Sequence, residues 1–243
     1  TITGTTGATT ALTSLTASGN TIAVNNVRTT GTQSYTGTTS TTFNGTSYLT
    51  AGNTFGVTGP ALLGAGVTID TTNSGGTPVG ASISFNTTIN NAQTLSLIGG
   101  TTGAITVSGI VGGTTPLTSF TANANTISTV GVLTTGAQSY TGATSSTFNG
   151  TYTISGAASA FGVTGPALLN GATSVSTNNG NISFSSTINN AATLSLTAGT
   201  AAVTITGATG GIAPLTSLTT SGNTIAVNNV RTNSVQSYTG TTS

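Results

Sequence analysis

Apolar side chains in this chain alternate with small polar ones in short runs. Thr21-Ile22-Ala23-Val24-Asn25, Thr94-Leu95-Ser96-Leu97, Ala104-Ile105-Thr106-Val107-Ser108 and Ala202-Val203-Thr204-Ile205-Thr206 each place their apolar residues on one side and their hydroxyls on the other. Between such runs stand clusters that read as turns, among them Ser18-Gly19-Asn20, Asn149-Gly150 and Asn178-Asn179-Gly180. Helix is disfavoured throughout, because Thr, Ser, Gly and Asn dominate while Glu, Lys and Met are absent. The pattern therefore predicts an all-β chain of strands roughly three to five residues long.

The pattern also repeats. Residues 11–40 return as 116–145 and again as 214–243, with 105 residues from Leu12 to Leu117 and 98 from Leu117 to Leu215. FGVTGPALL occurs at 55–63 and 161–169, and SISFNTTINNAQTLSL (82–97) matches NISFSSTINNAATLSL (181–196). This self-similarity predicts one continuous repeat region over 1–243, with long units near 11–115, 116–213 and 214–243, the last partial. The first residues align with 204–207 and Ser243 aligns with Ser40, so the chain reads as a slice of a longer array. Residues 18–29 and 221–232 are identical while the middle copy diverges, which suggests a two-unit super-repeat.

Two architectures accommodate short strands at this spacing. A tandem array of immunoglobulin-like β-sandwiches suits the unit length. A parallel β-solenoid suits a shorter sub-period, since strand-like motifs recur near Ile83, Ile105, Thr126, Phe148, Phe161 and Ile182, mostly 21–22 residues apart. It also suits small, thinly spread apolar residues, with five Tyr and seven Phe in all. The solenoid is the expected fold: roughly 10–12 coils of about 20–25 residues, four or five per long unit, forming a rod of about 50–58 Å at the ~4.8 Å spacing of stacked strands. Ladders of Thr, Asn and Phe along the rod are expected, and uncharged side chains tolerate such stacking.

The run PLTSLTTSGNTIAVNNVRTNSVQSYTG, together with FGVTGPALLNGATSVSTNNGNISFSSTINNAATLSLTAGT, resembles the strand-repeat regions of large bacterial exoproteins of the filamentous-haemagglutinin kind. The similarity is one of style and motif and spans the whole chain. It implies a right-handed β-helix and an extracellular or cell-surface location. It further implies the role of a secreted structural shaft in a fibre or adhesin. Self-association or contact with neighbouring repeats is the expected partnership, with a host-cell or matrix surface as a further one.

Composition narrows the chemistry. Two Arg, one Asp and no Lys, Glu, His, Cys, Met or Trp leave a net charge of +1. General acid–base work draws chiefly on residues absent here, and the many Ser and Thr have no His or Lys to activate them. A zinc site needs Cys or His, calcium cages need several carboxylates, and a sugar-cleaving site on a β-helix needs a carboxylate pair. No catalytic, cofactor-binding or metal residue is therefore assigned, and the chain is not expected to be an enzyme. No basic stripe supports nucleic-acid binding, and no apolar run approaches the ~18 residues of a membrane-spanning helix.

The remaining individual residues read as structural. Asp70, replaced by Ser176 in the second copy, is expected to bond local backbone at a turn. Arg28 and Arg231, replaced by Leu133, suit a partly exposed flank. Residues 74–81, which the second copy shortens, are expected to form a loop leaving the rod at a corner. Asn44, Asn86, Asn149 and Asn181 match the glycosylation sequon, in a composition that produces such matches by chance. Tyr35, Tyr140 and Tyr238, each in Gln-Ser-Tyr-Thr-Gly, read as structural rather than ligand-stacking. The alternative function is a ligand-binding solenoid surface, ice-binding or carbohydrate-binding; against the former, no Thr-x-Thr recurs on each coil.

Overall fold

The computed structural model describes residues 1–241, which form strands and turns with no helix. All strands join one sheet, and every strand–strand pairing is parallel. Three ladders run the length of the molecule. The first passes through Leu15, Gln33, Phe55, Ile83, Ile105, Ile127, Ser146, Ala167, Ile188, Thr209 and Val230. The second runs from Ile22 through Thr41, Ala61, Ile89, Val111, Val132, Tyr152, Val175, Leu196 and Thr220 to Tyr238. The third runs from Thr6 through Val27, Tyr48, Ile69, Leu97, Ala122, Tyr140, Val163, Phe184 and Ile205 to Val227. The chain visits them in turn, so the molecule is a three-sided β-solenoid of about 11 turns.

One turn takes from 18 residues (Leu15 to Gln33) to 28 (Phe55 to Ile83), wider limits than the sub-period suggests. That sub-period also mixes two ladders. Ile83, Ile105 and Phe148 stand in the first, whereas Phe161 and Ile182 stand in the third. The spacing of apolar motifs alone does not show on which side of a coil each one lies.

The long repeat acquires a definite geometry from these ladders. The equivalent residues Leu15, Phe120 and Leu218 lie in the first, third and second ladders respectively. From Leu15, four full turns reach Ile105 and two further strands reach Phe120, making fourteen strands. From Phe120, four turns reach Val203 and two strands more reach Leu218, fourteen again. A unit is therefore four and two-thirds turns. Each copy of a motif faces a different side from the last, with an axial rise of roughly 22 Å per unit at ~4.8 Å per turn.

The period-two pattern explains the interior. Strands such as Ala61–Leu63 and Phe55–Thr58 alternate buried with half-exposed residues, so a narrow core is filled by one residue in two. All seven Phe and four of the five Tyr are fully buried. Tyr35, Phe43, Tyr48, Phe55 and Phe85 pack at centroid distances of 5.0–6.4 Å, mostly edge-on or tilted. Tyr140, Phe148, Tyr152, Phe161 and Phe184 reproduce this cluster one unit later. Aliphatic coils containing Leu95, Leu97, Ile105 and Val107 separate the two.

The corners carry the turn chemistry. At Gly59-Pro60 and Gly165-Pro166 the glycines have φ of 92° and 90°, and an added Cβ would stand 1.9 and 2.0 Å from the carbonyl oxygens of Gly37 and Gly142. Among the described residues, no hydrogen bond between two Asn side chains of successive coils stands in the place of the expected Asn ladders. Asn side chains bond the backbone or the Thr hydroxyls of a neighbouring coil instead: Asn26 Oδ1 accepts from the N–H groups of Thr46 and Ser47, Asn53 donates to the Thr30 carbonyl, and Asn20 Oδ1 accepts from the Thr38 and Thr39 hydroxyls. Backbone groups at irregular corners need partners, and a short amide reaches them across one coil spacing.

The segment 74–80 lies at a corner between the third and first ladders, but it is not free of the rod. Thr101 and Thr102 of the next coil donate their N–H groups to Pro78 and Val79.

Thr209 and Thr220 point inward, are fully buried and have hydroxyls without partners. A buried hydroxyl without a bond is penalised by desolvation. Thr209→Val and Thr220→Val are each expected to raise unfolding free energy by about 1 kcal/mol. Urea denaturation followed by circular dichroism checks this.

Candidate functional surface

Buried polar side chains form a recurring knot. The Gln138 amide nitrogen donates to the Val132 carbonyl (2.9 Å), the Thr153 carbonyl (3.1 Å) and the Thr134 hydroxyl (3.2 Å), while its oxygen accepts from the Tyr140 hydroxyl (3.0 Å). Gln33 does the same with Val27, Leu49, Thr29 and Tyr35. Gln236 and Tyr238 repeat the inner bond at 2.9 Å, with Tyr238 42% exposed in the last coil. The Gln-Ser-Tyr-Thr-Gly motif is thus structural, as its three copies suggest. The companion phenols act similarly: Tyr48 donates to Val24 O and Tyr152 to Thr129 O.

Burial raises the pKa of these phenols. Tyr48 is pushed up to about 12 against a lowering contribution from the Gly45 N–H. Tyr35 and Tyr140 are raised by burial and then by the charge a neighbouring Tyr would carry. Tyr152 is raised by burial despite bonds from Thr129 and backbone. Each folded-state pKa exceeds the unfolded value near 10, so the stabilisation is complete below about pH 10 and is lost as pH climbs beyond it. Alkaline titration should show the four buried phenols ionising together with unfolding, read by tyrosine absorbance and circular dichroism in parallel.

Of the charged groups, Asp70 accepts bonds from the Thr72 N–H and hydroxyl (both 2.6 Å) and the Ser74 N–H (2.9 Å), the local turn its sequence position suggests. Arg28 is exposed and its Nε donates to Asn73 Oδ1 at 3.3 Å. Leu49 stands between Arg28 and Asp70 on successive coils. A depression of about 180 Å³ beside Arg28 is lined by Thr5, Thr6, Ala8, Asn26, Val27, Ser47 and Leu49. Arg231 is likewise exposed. Among the described residues no group of three or more His, Cys, Asp or Glu gathers, and no helix is long and apolar enough to cross a membrane.

The outer faces carry a feature that sequence spacing does not reveal. In the third ladder the outward central positions are Ser47, Thr68, Ser96, Thr121, Ser139, Gly162, Ser183 and Thr204 on successive coils. The first ladder presents Thr16, Ser34, Gly56, Ser84, Thr106, Ser128 and Thr147. The second presents Thr151, Ser174, Ser195, Thr219 and Ser237. None of these hydroxyls bonds another protein group. Each face thus bears a hydroxyl spine with rungs about 4.8 Å apart. The residues that align are 18 to 28 positions apart, so only the ladder register assembles them.

Comparison with protein-family models, with curated proteins and with solved structures finds no match for this chain.

Proposed function

We propose that this chain is the structural shaft of an extracellular fibre or adhesin of the filamentous-haemagglutinin kind, secreted and working without catalysis. The observation that carries the reading is the passage of all three ladders through the unit boundaries without a break, so that added units lengthen one rod. Supporting it, the interior is closed by rings and a Gln–Tyr knot, and the single carboxylate serves a turn. Self-association by strand pairing at coil ends belongs to the same reading. Immunogold electron microscopy on cells that make the protein tests it: label along surface filaments is expected, and label confined to the cell interior contradicts it.

The hydroxyl spines favour a second reading, a solenoid surface that binds ice or carbohydrate. Against it, the fourteen-strand unit turns every motif by a third of a revolution, distributing equivalent patches over three sides. Thermal hysteresis measured on the purified chain is expected to be absent.

A further inference from the structure

The third face presents hydroxyls from Ser47 to Thr204 over eight consecutive coils, interrupted only by Gly162. These side chains are half-buried or exposed, uncharged and without partners in the chain. They stand on a backbone grid fixed by the ladder at about 4.8 Å per coil. A partner that engages such a grid along its length must share its period. A second copy of the chain has that period by construction, as stacked identical side chains do where sheets mate.

We infer that the third face is a docking surface for the third face of a second copy, joining two rods side by side. The area is adequate: eight coils give about 38 Å of length, and a strand width of about 16 Å yields roughly 600 Å² per partner, near the lower bound for a specific interface. Charge offers little opposition: the chain carries +1 overall, the face's one carboxylate is bonded by Thr72 and Ser74, and Arg28, on the coil next to Ser47 at the end of the spine, donates to Asn73. The third face offers the longest of the three spines, which is why the contact is assigned there rather than to the first or second. This contact is lateral and independent of the shaft reading, which requires only that each rod be continuous along its axis.

Mass per unit length, measured by scanning transmission electron microscopy and by the cross-section term of X-ray scattering, tests the inference. The chain should double its mass per unit length as concentration rises. The variant Ser96→Lys/Ser139→Lys/Ser183→Lys, which stacks cations outward on the third face, should remain at the single-rod value while keeping the parent's circular dichroism spectrum and melting profile. The control Ser34→Lys/Ser84→Lys/Ser128→Lys on the first face should still double. Single rods at every concentration, doubling that survives the third-face lysines, or growth in length alone each overturn the assignment. So do single rods that show thermal hysteresis or adhere to insoluble polysaccharide, which would give the face to that occupant.

Discussion

Phe161→Ala lowers the unfolding free energy by about 3–5 kcal/mol, the largest effect expected of any single truncation in this molecule. The ring is fully buried and lies 5.4 Å from Tyr140, 5.7 Å from Phe184 and 6.0 Å from both Phe148 and Tyr152. A solenoid core is one side chain deep from each wall, so neighbours pinned by their ladders have little freedom to close the cavity. Phe55, in the same setting one unit earlier, should show a loss of similar size. Denaturant unfolding of each variant measures the effect. A loss under about 1 kcal/mol would mean that the cluster is loosely packed.

The second large effect is Gln138→Leu. The substitution leaves the Tyr140 hydroxyl and the carbonyls of Val132 and Thr153 without their bonds inside the core. Each abandoned group is penalised by about 1–3 kcal/mol, so a total near 3 kcal/mol or more is expected. Adding Tyr140→Phe removes the orphaned phenol and should recover about 1 kcal/mol, making the double variant more stable than Gln138→Leu alone. A double variant that is additive in its losses would show that the Gln–Tyr bond contributes nothing.

These two residues show what the sequence discloses and where it stops. Period-two alternation around Ile105 and Ile205 is enough to identify strands, and the recurrence of Gln-Ser-Tyr-Thr-Gly is enough to make its tyrosines structural. The sub-period of mostly 21–22 residues and the small, thinly spread apolar residues favour a solenoid over stacked sandwiches, which is the fold found. The allocation of strands to sides was not legible. Phe148 and Phe161 are 13 residues apart and sit in the first and third ladders, because the second-ladder strand through Tyr152 and its flanking corners are counted in the same stretch of sequence. For the same reason the fourteen-strand unit and the hydroxyl spines emerge only when register is known. The insertion within 74–81 is visible as extra length, but its bonds to Thr101 and Thr102 depend on the coil above, which local sequence does not specify. The identical residues 18–29 and 221–232 are two units apart and still face different sides, so the sequence super-repeat of two units differs from the orientational period of three.

The central claim is that distance in this chain follows ladder position and not sequence separation. Pairs of spin labels on the first face test it most directly: Thr16 with Ser84, Thr106 and Thr147 lie three, four and six coils apart by the ladder register. Pulsed electron resonance should give narrow distributions centred near about 14, 19 and 29 Å for the backbone separations, a straight line of about 4.8 Å per coil. Broad distributions, or separations that jump between labels placed in different long units, would contradict a continuous solenoid and favour a chain of separate domains.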